Sequence, residues 1–178
     1  MTIFISGGCK NGKSSLAQNV AIALSKDSRR YYVATMIPSD EEDETRISRH
    51  LENRADLGFE TIERGRDILG CLEGADETAC FLVDSVTALL ANEMFREGEM
   101  VETAPVRVAQ GLLMLADRVK NAVFVSDYIY SDAARFDEST ETYRRGLAFV
   151  DRALAGRCDT VVELCAGDYI LHKGVLPL

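Results

Sequence analysis

Lys13 and Ser14 end a glycine-rich turn that has the spacing of a phosphate-binding loop. With Gly7 and Gly12 they satisfy the pattern G-x-x-x-x-G-K-[ST], set between an apolar strand-like run and a helix-competent segment. The backbone N–H groups of such a loop and the N-terminus of the following helix point at one concavity, which favours bound phosphate. The glycines allow a close backbone approach that a Cβ would block. Because Lys13 would reach the β- and γ-phosphates and the Ser14 hydroxyl would ligate Mg²⁺, the pattern predicts a nucleoside triphosphate site rather than an ordinary glycine turn.

A second residue suited to this chemistry, Asp84, follows the apolar run Cys80–Val83. P-loop folds place an acidic residue at the end of such a strand, where it completes the magnesium site. Asp84 also precedes Ser85, Val86 and Thr87 at a predicted helix start, where aspartate is a good N-cap. Both interpretations are open, and one residue can serve both roles.

A charged segment over residues 40–56 is predicted to form a helix that begins at an S-x-x-E capping box starting with Ser39. Arg46, His50 and Arg54 fall four residues apart and therefore share one face of it. Positive neighbours disfavour the imidazolium form, so we expect a neutral, nucleophilic His50 between guanidinium groups that can hold phosphate oxygens. A solvated helix face with an inert histidine is the simpler interpretation, and these residues alone favour it.

The bulk composition restricts the classes of protein and partner. The 178 residues, 47% hydrophobic and 28% charged, predict one domain over residues 1–178. A net charge of −9 argues against a nucleic-acid partner, and no apolar run approaches the roughly 18 residues of a membrane span. The five cysteines are odd in number and lack C-x-x-C spacing, which argues against a disulfide framework and a zinc site. With no signal-peptide pattern before the first strand, we expect a cytoplasmic protein.

Strand and helix patterns alternate along the chain, which predicts an α/β fold with a mostly parallel sheet flanked by helices. The turn Ala166-Gly167-Asp168 separates the last two strands, so we expect a C-terminal antiparallel hairpin at one sheet edge. Strands are predicted at 3–5, 31–35, 59–62, 80–83, 122–126, 160–164 and 169–172, and helices at 14–23, 40–56, 85–96, 104–119 and 139–155, with a helical turn at 68–73 and a connection around Gly98.

Five segments in a fixed order resemble one known family. They are the P-loop opening, Tyr32-Val33-Ala34-Thr35-Met36, Arg46-Ile47-Ser48-Arg49-His50 followed by Arg54, Phe59-Glu60-Thr61-Ile62-Glu63, and Leu82-Val83-Asp84-Ser85-Val86-Thr87 ahead of Asn92. Over roughly residues 1–95 the chain resembles the bifunctional adenosylcobinamide kinase / adenosylcobinamide-phosphate guanylyltransferase family of cobalamin assembly. The resemblance implies a single P-loop NTPase domain of the RecA-like type.

The resemblance also implies two reactions in one domain. ATP or GTP phosphorylates adenosylcobinamide, and GMP then passes from GTP to the new phosphate through a histidine–GMP intermediate, giving adenosylcobinamide-GDP. It assigns His50 as nucleophile, Lys13 as a catalytic residue, Mg²⁺ to Ser14 and Asp84, and a homotrimeric assembly. The implied nucleotide contacts are Gly7, Gly8, Cys9, Lys10, Asn11, Gly12, Lys13, Ser14, Ala34, Thr35, Met36, Arg46, Leu51, Glu52, Asn53, Arg54, Glu63 and Asp84.

The second half of the chain departs from the family pattern. After Ser126 the family usually has Asn-Glu-Val-Gly, whereas this chain has Asp127-Tyr128-Ile129-Tyr130, and residues 143–151 also differ. A member with one of the two activities, or a small-molecule kinase of another P-loop family, is therefore an open alternative. A non-enzymatic GTP-binding module is disfavoured, because the chain has no N-K-x-D guanine-selecting pattern.

Overall fold

The central strands of the protein form because their residues are apolar on both faces. The computed structural model describes residues 1–38, 55–96, 98–131 and 133–178. Within these ranges seven strands form one sheet in the order β3-β2-β4-β7-β1-β8-β9. Their bounds are Thr2–Gly7 (β1), Arg30–Ala34 (β2), Glu60–Glu63 (β3), Cys80–Asp84 (β4), Asn121–Asp127 (β7), Thr160–Cys165 (β8) and Asp168–Lys173 (β9).

The first six strands of that order pair in parallel, and β9 pairs antiparallel with β8 at the edge. The four apolar residues of β4 are buried, as expected for a parallel strand covered on both faces. The predicted mostly parallel sheet and its C-terminal antiparallel hairpin are confirmed.

Helices cover both faces of the sheet. The helices are Lys13–Ser25 (α1), Val86–Met94 (α2), Ala104–Arg118 (α3) and Glu138–Arg157 (α4), with 3₁₀ turns at Ala55–Leu57 and Ile68–Leu72. The apolar side of α1 packs in one core layer with β1, β4 and β7. The other three helices pack in a larger layer on the opposite face. The carboxyl ends of the parallel strands therefore meet at one edge of a sheet sandwiched between helices, where ligands of open α/β sheets bind.

Most predicted elements lie within two residues of those observed. The connection around Gly98 contains a short antiparallel pair, Phe95–Arg96 (β5) with Glu99–Met100 (β6), that the sequence did not predict. The charged helix predicted over residues 40–56 falls mostly on residues 39–54, which lie outside the described residues.

Candidate active site

The phosphate-binding loop connects β1 to α1, and its glycines meet specific geometric needs. A Cβ on Gly7 would lie 2.5 Å from Asn11 Nδ2 and 2.7 Å from the backbone oxygen of Leu164. Gly12 is the N-cap of α1 with φ 93°, a left-handed backbone conformation that residues other than glycine rarely adopt. The sequence therefore forms the strand, loop and helix that the pattern predicted.

Lys13 is the first residue of α1, and its side chain is only 5% exposed. Its Nζ lies 2.6 Å from Asp127 Oδ1, donates to the Gly8 carbonyl and donates to Asn11 Oδ1 at 3.2 Å. These three oxygens match the three protons of an ammonium group. A phosphate that binds Lys13 must therefore compete with them.

Asn11 fixes the loop against the neighbouring strand. Its Nδ2 donates to the carbonyl of Leu164 in β8 at 2.8 Å, while its Oδ1 accepts from Lys13. The side chain thus ties the lysine to β8, at a residue that lies 153 positions after Asn11 in the chain. We expect this link to keep the loop in position before a ligand binds.

Asp84 ends β4, and its Oδ2 accepts a hydrogen bond from the Tyr32 hydroxyl at 2.7 Å. The helix-capping interpretation of Asp84 is wrong, because Ser85 is the N-cap of α2 and its hydroxyl accepts from Ala88 N at 3.2 Å. Ser14, the second residue of α1, is half-buried. The hydroxyl of Ser14 and the carboxylate of Asp84 are hard oxygen donors of the kind that Mg²⁺ takes.

The segment after β2 and the end of β3 meet beside Asp84. Ala34 pairs in register with Glu63 on one side and with Asp84 on the other, so the three predicted nucleotide contacts share one edge. Thr35 is fully buried, and its hydroxyl bonds both the carbonyl and the N–H of Ser85 at 2.7 Å. The Thr35 side chain therefore links two strands instead of facing a ligand, and Ala34, Met36 and Glu63 are the more exposed of these contacts.

The remaining predicted site residues are Arg46, His50, Leu51, Glu52, Asn53 and Arg54, which lie outside the described residues. Their roles stay predictions from the sequence. The other predicted contacts belong to the P-loop, where Cys9 and Lys10 are exposed and Gly8 is half-buried.

A buried carboxylate that the sequence did not single out lies behind the site. Asp151 in α4 is 3% exposed, and its Oδ2 accepts hydrogen bonds from Ser126 Oγ and the Tyr130 hydroxyl, each at 3.0 Å. Its Oδ1 is buried without a hydrogen-bond partner among the described residues. Burial raises the pKa of Asp151 to about 7, and the charge of Asp127 acts in the same direction.

Thr87 connects this cluster to the sheet edge. Its Oγ1 accepts from the backbone N–H of Asp127 at 2.8 Å and lies 3.4 Å from Ser126 Oγ, and its carbonyl accepts from the Tyr143 hydroxyl at 2.9 Å. Burial raises the pKa of Tyr143. The phenol therefore remains a hydrogen-bond donor at neutral pH.

The sequence predictions missed Asp127 and Asp151, although each has a signal in the sequence. Asp127 ends an apolar run as Asp84 does, in the neighbouring strand. Asp151 lies four residues after Leu147 and three before Leu154, both fully buried, so it is a carboxylate at a core-facing helical position.

Among the thiols, burial raises the pKa of Cys71 and Cys158 to about 11 and that of Cys80 to about 12. All five cysteines are free thiols in this structure. In the part of the chain that the structure describes, no helix combines the length and the apolar character that crossing a membrane requires.

Comparisons with known proteins agree with this geometry. A family profile described as "Cobinamide kinase / cobinamide phosphate guanyltransferase" matches residues 3–170. No curated protein sequence matches the chain.

Solved structures similar to this chain include the RadB recombinase, at 18% identity and a TM-score of 0.51 over 99% of this chain and 82% of that one. A protein of Pyrococcus horikoshii OT3 aligns at 10% identity and a TM-score of 0.53 over 98% of this chain and 86% of that one. An ATPase from the type III secretion system of pathogenic bacteria aligns at 14% identity and a TM-score of 0.52. The alignment covers 93% of this chain and 51% of the ATPase chain. At these identities the similarity concerns the fold, and the predicted RecA-like P-loop architecture is confirmed.

Proposed function

The chain belongs to the cobinamide kinase / cobinamide phosphate guanyltransferase family of cobalamin biosynthesis, and on that premise we propose that it catalyses two successive reactions. The first is phosphorylation of adenosylcobinamide by ATP or GTP. The second is transfer of GMP from GTP to the resulting phosphate through a histidine–GMP intermediate, giving adenosylcobinamide-GDP.

One observation supports this proposal above the others: the loop Gly7–Gly12 presents Lys13 at the same sheet edge as Asp84. The loop ends β1, and Asp84 ends β4. A single strand, β7, separates these two strands in the sheet. Phosphoryl transfer needs this combination of a loop of backbone donors, a lysine and a nearby carboxylate, because its catalysis consists mainly of positioning and charge neutralisation.

In the first reaction we propose that the loop holds the triphosphate and that Lys13 binds its β- and γ-phosphate oxygens. Ser14 and Asp84 are the oxygen donors that would hold Mg²⁺, and Tyr32 orients the Asp84 carboxylate through its hydroxyl. When bound, the metal supplies positive charge to the phosphate oxygens as the γ-phosphoryl group leaves.

In the second reaction we propose that His50 is the nucleophile. Its attack on the α-phosphorus of GTP releases pyrophosphate, and the corrinoid phosphate then displaces the histidine, which splits one difficult displacement into two. Arg46 and Arg54, four residues away on either side in the sequence, would hold the phosphate oxygens. Leu51, Glu52 and Asn53 would complete the nucleotide contacts.

The assembly and location are part of the same proposal. We propose a homotrimer, on the basis of the family resemblance, that acts on small corrinoid substrates without nucleic acid. A cytoplasmic location fits the five free thiols.

A labelling experiment tests the proposed function. Purified protein is incubated with [α-³²P]GTP and Mg²⁺, then with cobinamide phosphate. We expect a protein-bound label that is stable in base and lost in acid, as for a phosphoramidate, and that is discharged by cobinamide phosphate. His50→Asn should abolish the label while kinase turnover on cobinamide persists, and Lys13→Ala should weaken both reactions because they share one triphosphate site.

Lys120→Ala serves as the matched control. Lys120 is an exposed lysine that immediately precedes the first residue of β7. Labelling that survives in His50→Asn would show that His50 is not the nucleophile. Kinase turnover without any protein-bound label would instead identify a small-molecule kinase with one activity.

A further inference from the structure

Asp127 occupies the central position of the proposed site. It ends β7, the strand between β4 and β1, and pairs in register with Gly7 of the phosphate loop. Val125, two residues earlier, pairs with Asp84. Because side chains alternate between the faces of a strand, Asp127 and Asp84 point to the same face, the one covered by α1. The site therefore contains a carboxylate in addition to those of Asp84 and Glu63.

The Asp127 carboxylate forms an ion pair with the lysine that would hold the triphosphate. Asp127 Oδ1 lies 2.6 Å from Lys13 Nζ, and the Asp127 side chain is 28% exposed. When a triphosphate accepts the hydrogen bonds of the Lys13 ammonium group, Asp127 loses a cationic partner and gains an anionic neighbour. Nucleotide binding thus releases the Asp127 carboxylate from Lys13, and the carboxylate can then accept a proton next to the γ-phosphate.

We propose that Asp127 is the general base of the kinase reaction, a role that rests on the proposed function. Its carboxylate takes the proton of the acceptor hydroxyl as the oxygen of that hydroxyl forms its bond to the γ-phosphorus. The bond from the γ-phosphorus to the β–γ bridging oxygen breaks, and the nucleoside diphosphate leaves with that electron pair. The proton then passes from Asp127 to water through its exposed side. Lys13 returns to Asp127 after the diphosphate dissociates.

Other carboxylates near the sheet edge are less suited to this role. Asp84 accepts from Tyr32 and is the proposed metal ligand. Asp151 is 3% exposed and therefore out of reach of a substrate. Glu163 pairs with Ser6, one residue before Gly7 in β1, and its Oε2 lies 2.8 Å from His172 Nε2. Among the described residues, Asp127 is the carboxylate in contact with the catalytic lysine.

The backbone around Asp127 is held from three sides, as a base that must keep its position requires. Its N–H donates to Thr87 Oγ1, and the next N–H, of Tyr128, donates to the Gly7 carbonyl at 3.3 Å. Ser126 and Tyr130, which lie on either side of Asp127 in the chain, both donate to Asp151, so one buried carboxylate holds the end of β7 and the segment after it. Asp151 is accordingly a positioning residue.

The decisive experiment compares wild-type protein with Asp127→Asn in three assays: kinase turnover on cobinamide, guanylyl transfer to cobinamide phosphate, and nucleotide affinity. We expect Asp127→Asn to lower the kinase kcat by at least about 100-fold, the usual contribution of a general base. Nucleotide affinity should not fall, because the amide removes a competitor for Lys13. The loss should be confined to the kinase, because a phosphate acceptor has no hydroxyl proton to remove. Asp117→Asn, at an exposed ion pair with Arg157, is the matched control.

Two further measurements separate a base from a structural residue. The acidic limb of the wild-type pH profile of kcat/KM should be absent from the residual activity of Asp127→Asn. Formate should restore part of the kinase turnover of Asp127→Ala, which also serves if the asparagine variant does not fold. A wild-type kcat in Asp127→Asn, or equal losses in both reactions, would overturn the proposed role of Asp127 but not the proposed function of the protein. Wild-type protein without kinase turnover would overturn the proposed kinase function itself.

Discussion

Asp151 shows how a single residue links the core to the proposed site. Its carboxylate is buried in α4 and accepts two hydroxyl hydrogen bonds through one oxygen, while the other has no partner in the described ranges of the chain. Burial raises its pKa to about 7, well above that of an exposed aspartate. Between these two pKa values the native state therefore holds a proton that the unfolded chain has released.

This shift predicts a pH dependence of stability. Because the folded pKa is raised, the native state binds more protons than the unfolded state between about pH 4 and pH 7, so the contribution of Asp151 falls as pH rises through that window. As pH rises from 5.5 to 8, we expect deprotonation of Asp151 to lower the free energy of unfolding by about 2 kcal/mol. Asp151→Asn should remove this part of the pH dependence, measured by urea unfolding at the two pH values. An unchanged pH dependence would show that Asp151 titrates as an exposed carboxyl.

At the scale of elements, α4 is positioned by close contact with the start of α3. A Cβ on Gly146 would lie 2.7 Å from Pro105 Cγ and 3.4 Å from Met94 Sδ. Gly146 therefore allows α4 to approach α3 and α2 closely, and this approach sets the position of Asp151, which lies further along the same helix. The helix also carries a second glycine, Gly156, which has nothing within 4 Å of its Cβ position.

These two glycines form a matched pair within one helix. Gly146→Ala should lower the free energy of unfolding by about 1–3 kcal/mol, because the added methyl group overpacks the contact with Pro105. Gly156→Ala should raise it by up to about 1 kcal/mol, because alanine is the better helix former and has room there. Chemical denaturation of both variants checks the expectation. Equal effects of the two substitutions would contradict the close packing at Gly146.

At the scale of the whole molecule, β9 leaves an open sheet edge. It is exposed along its length, and Tyr169, Ile170 and Leu171 are 45%, 52% and 42% exposed. An apolar edge strand is a surface on which another chain can pair. It is therefore the surface that we expect the proposed homotrimer to use.

Light scattering on the purified protein should give about three times the chain mass of 19.6 kDa. Ile170→Lys should lower that mass, because a charge on an edge strand opposes pairing. Val106→Lys is the matched control, since Val106 is 48% exposed on α3. A monomer in wild-type protein would contradict the trimer, and an unchanged mass in Ile170→Lys would exclude β9 as the contact.

The fold was largely predictable because its signals are local. The apolar runs of β4 and β7, the glycines of the loop and the turn at Gly167 each act within a few residues. The hairpin of β5 and β6 was missed because two-residue strands leave no periodicity to read.

Residue types at short spacing are enough to indicate the phosphate loop, the alternation of strands and helices, and the likeness to one family. The tertiary structure alone decided that Asp127 meets Lys13, that Tyr32 orients Asp84 and that Asp151 clamps the loop after β7. These contacts join residues between 21 and 114 positions apart. Only the packing order of the strands brings such residues together, and that order depends on the burial of the whole sheet.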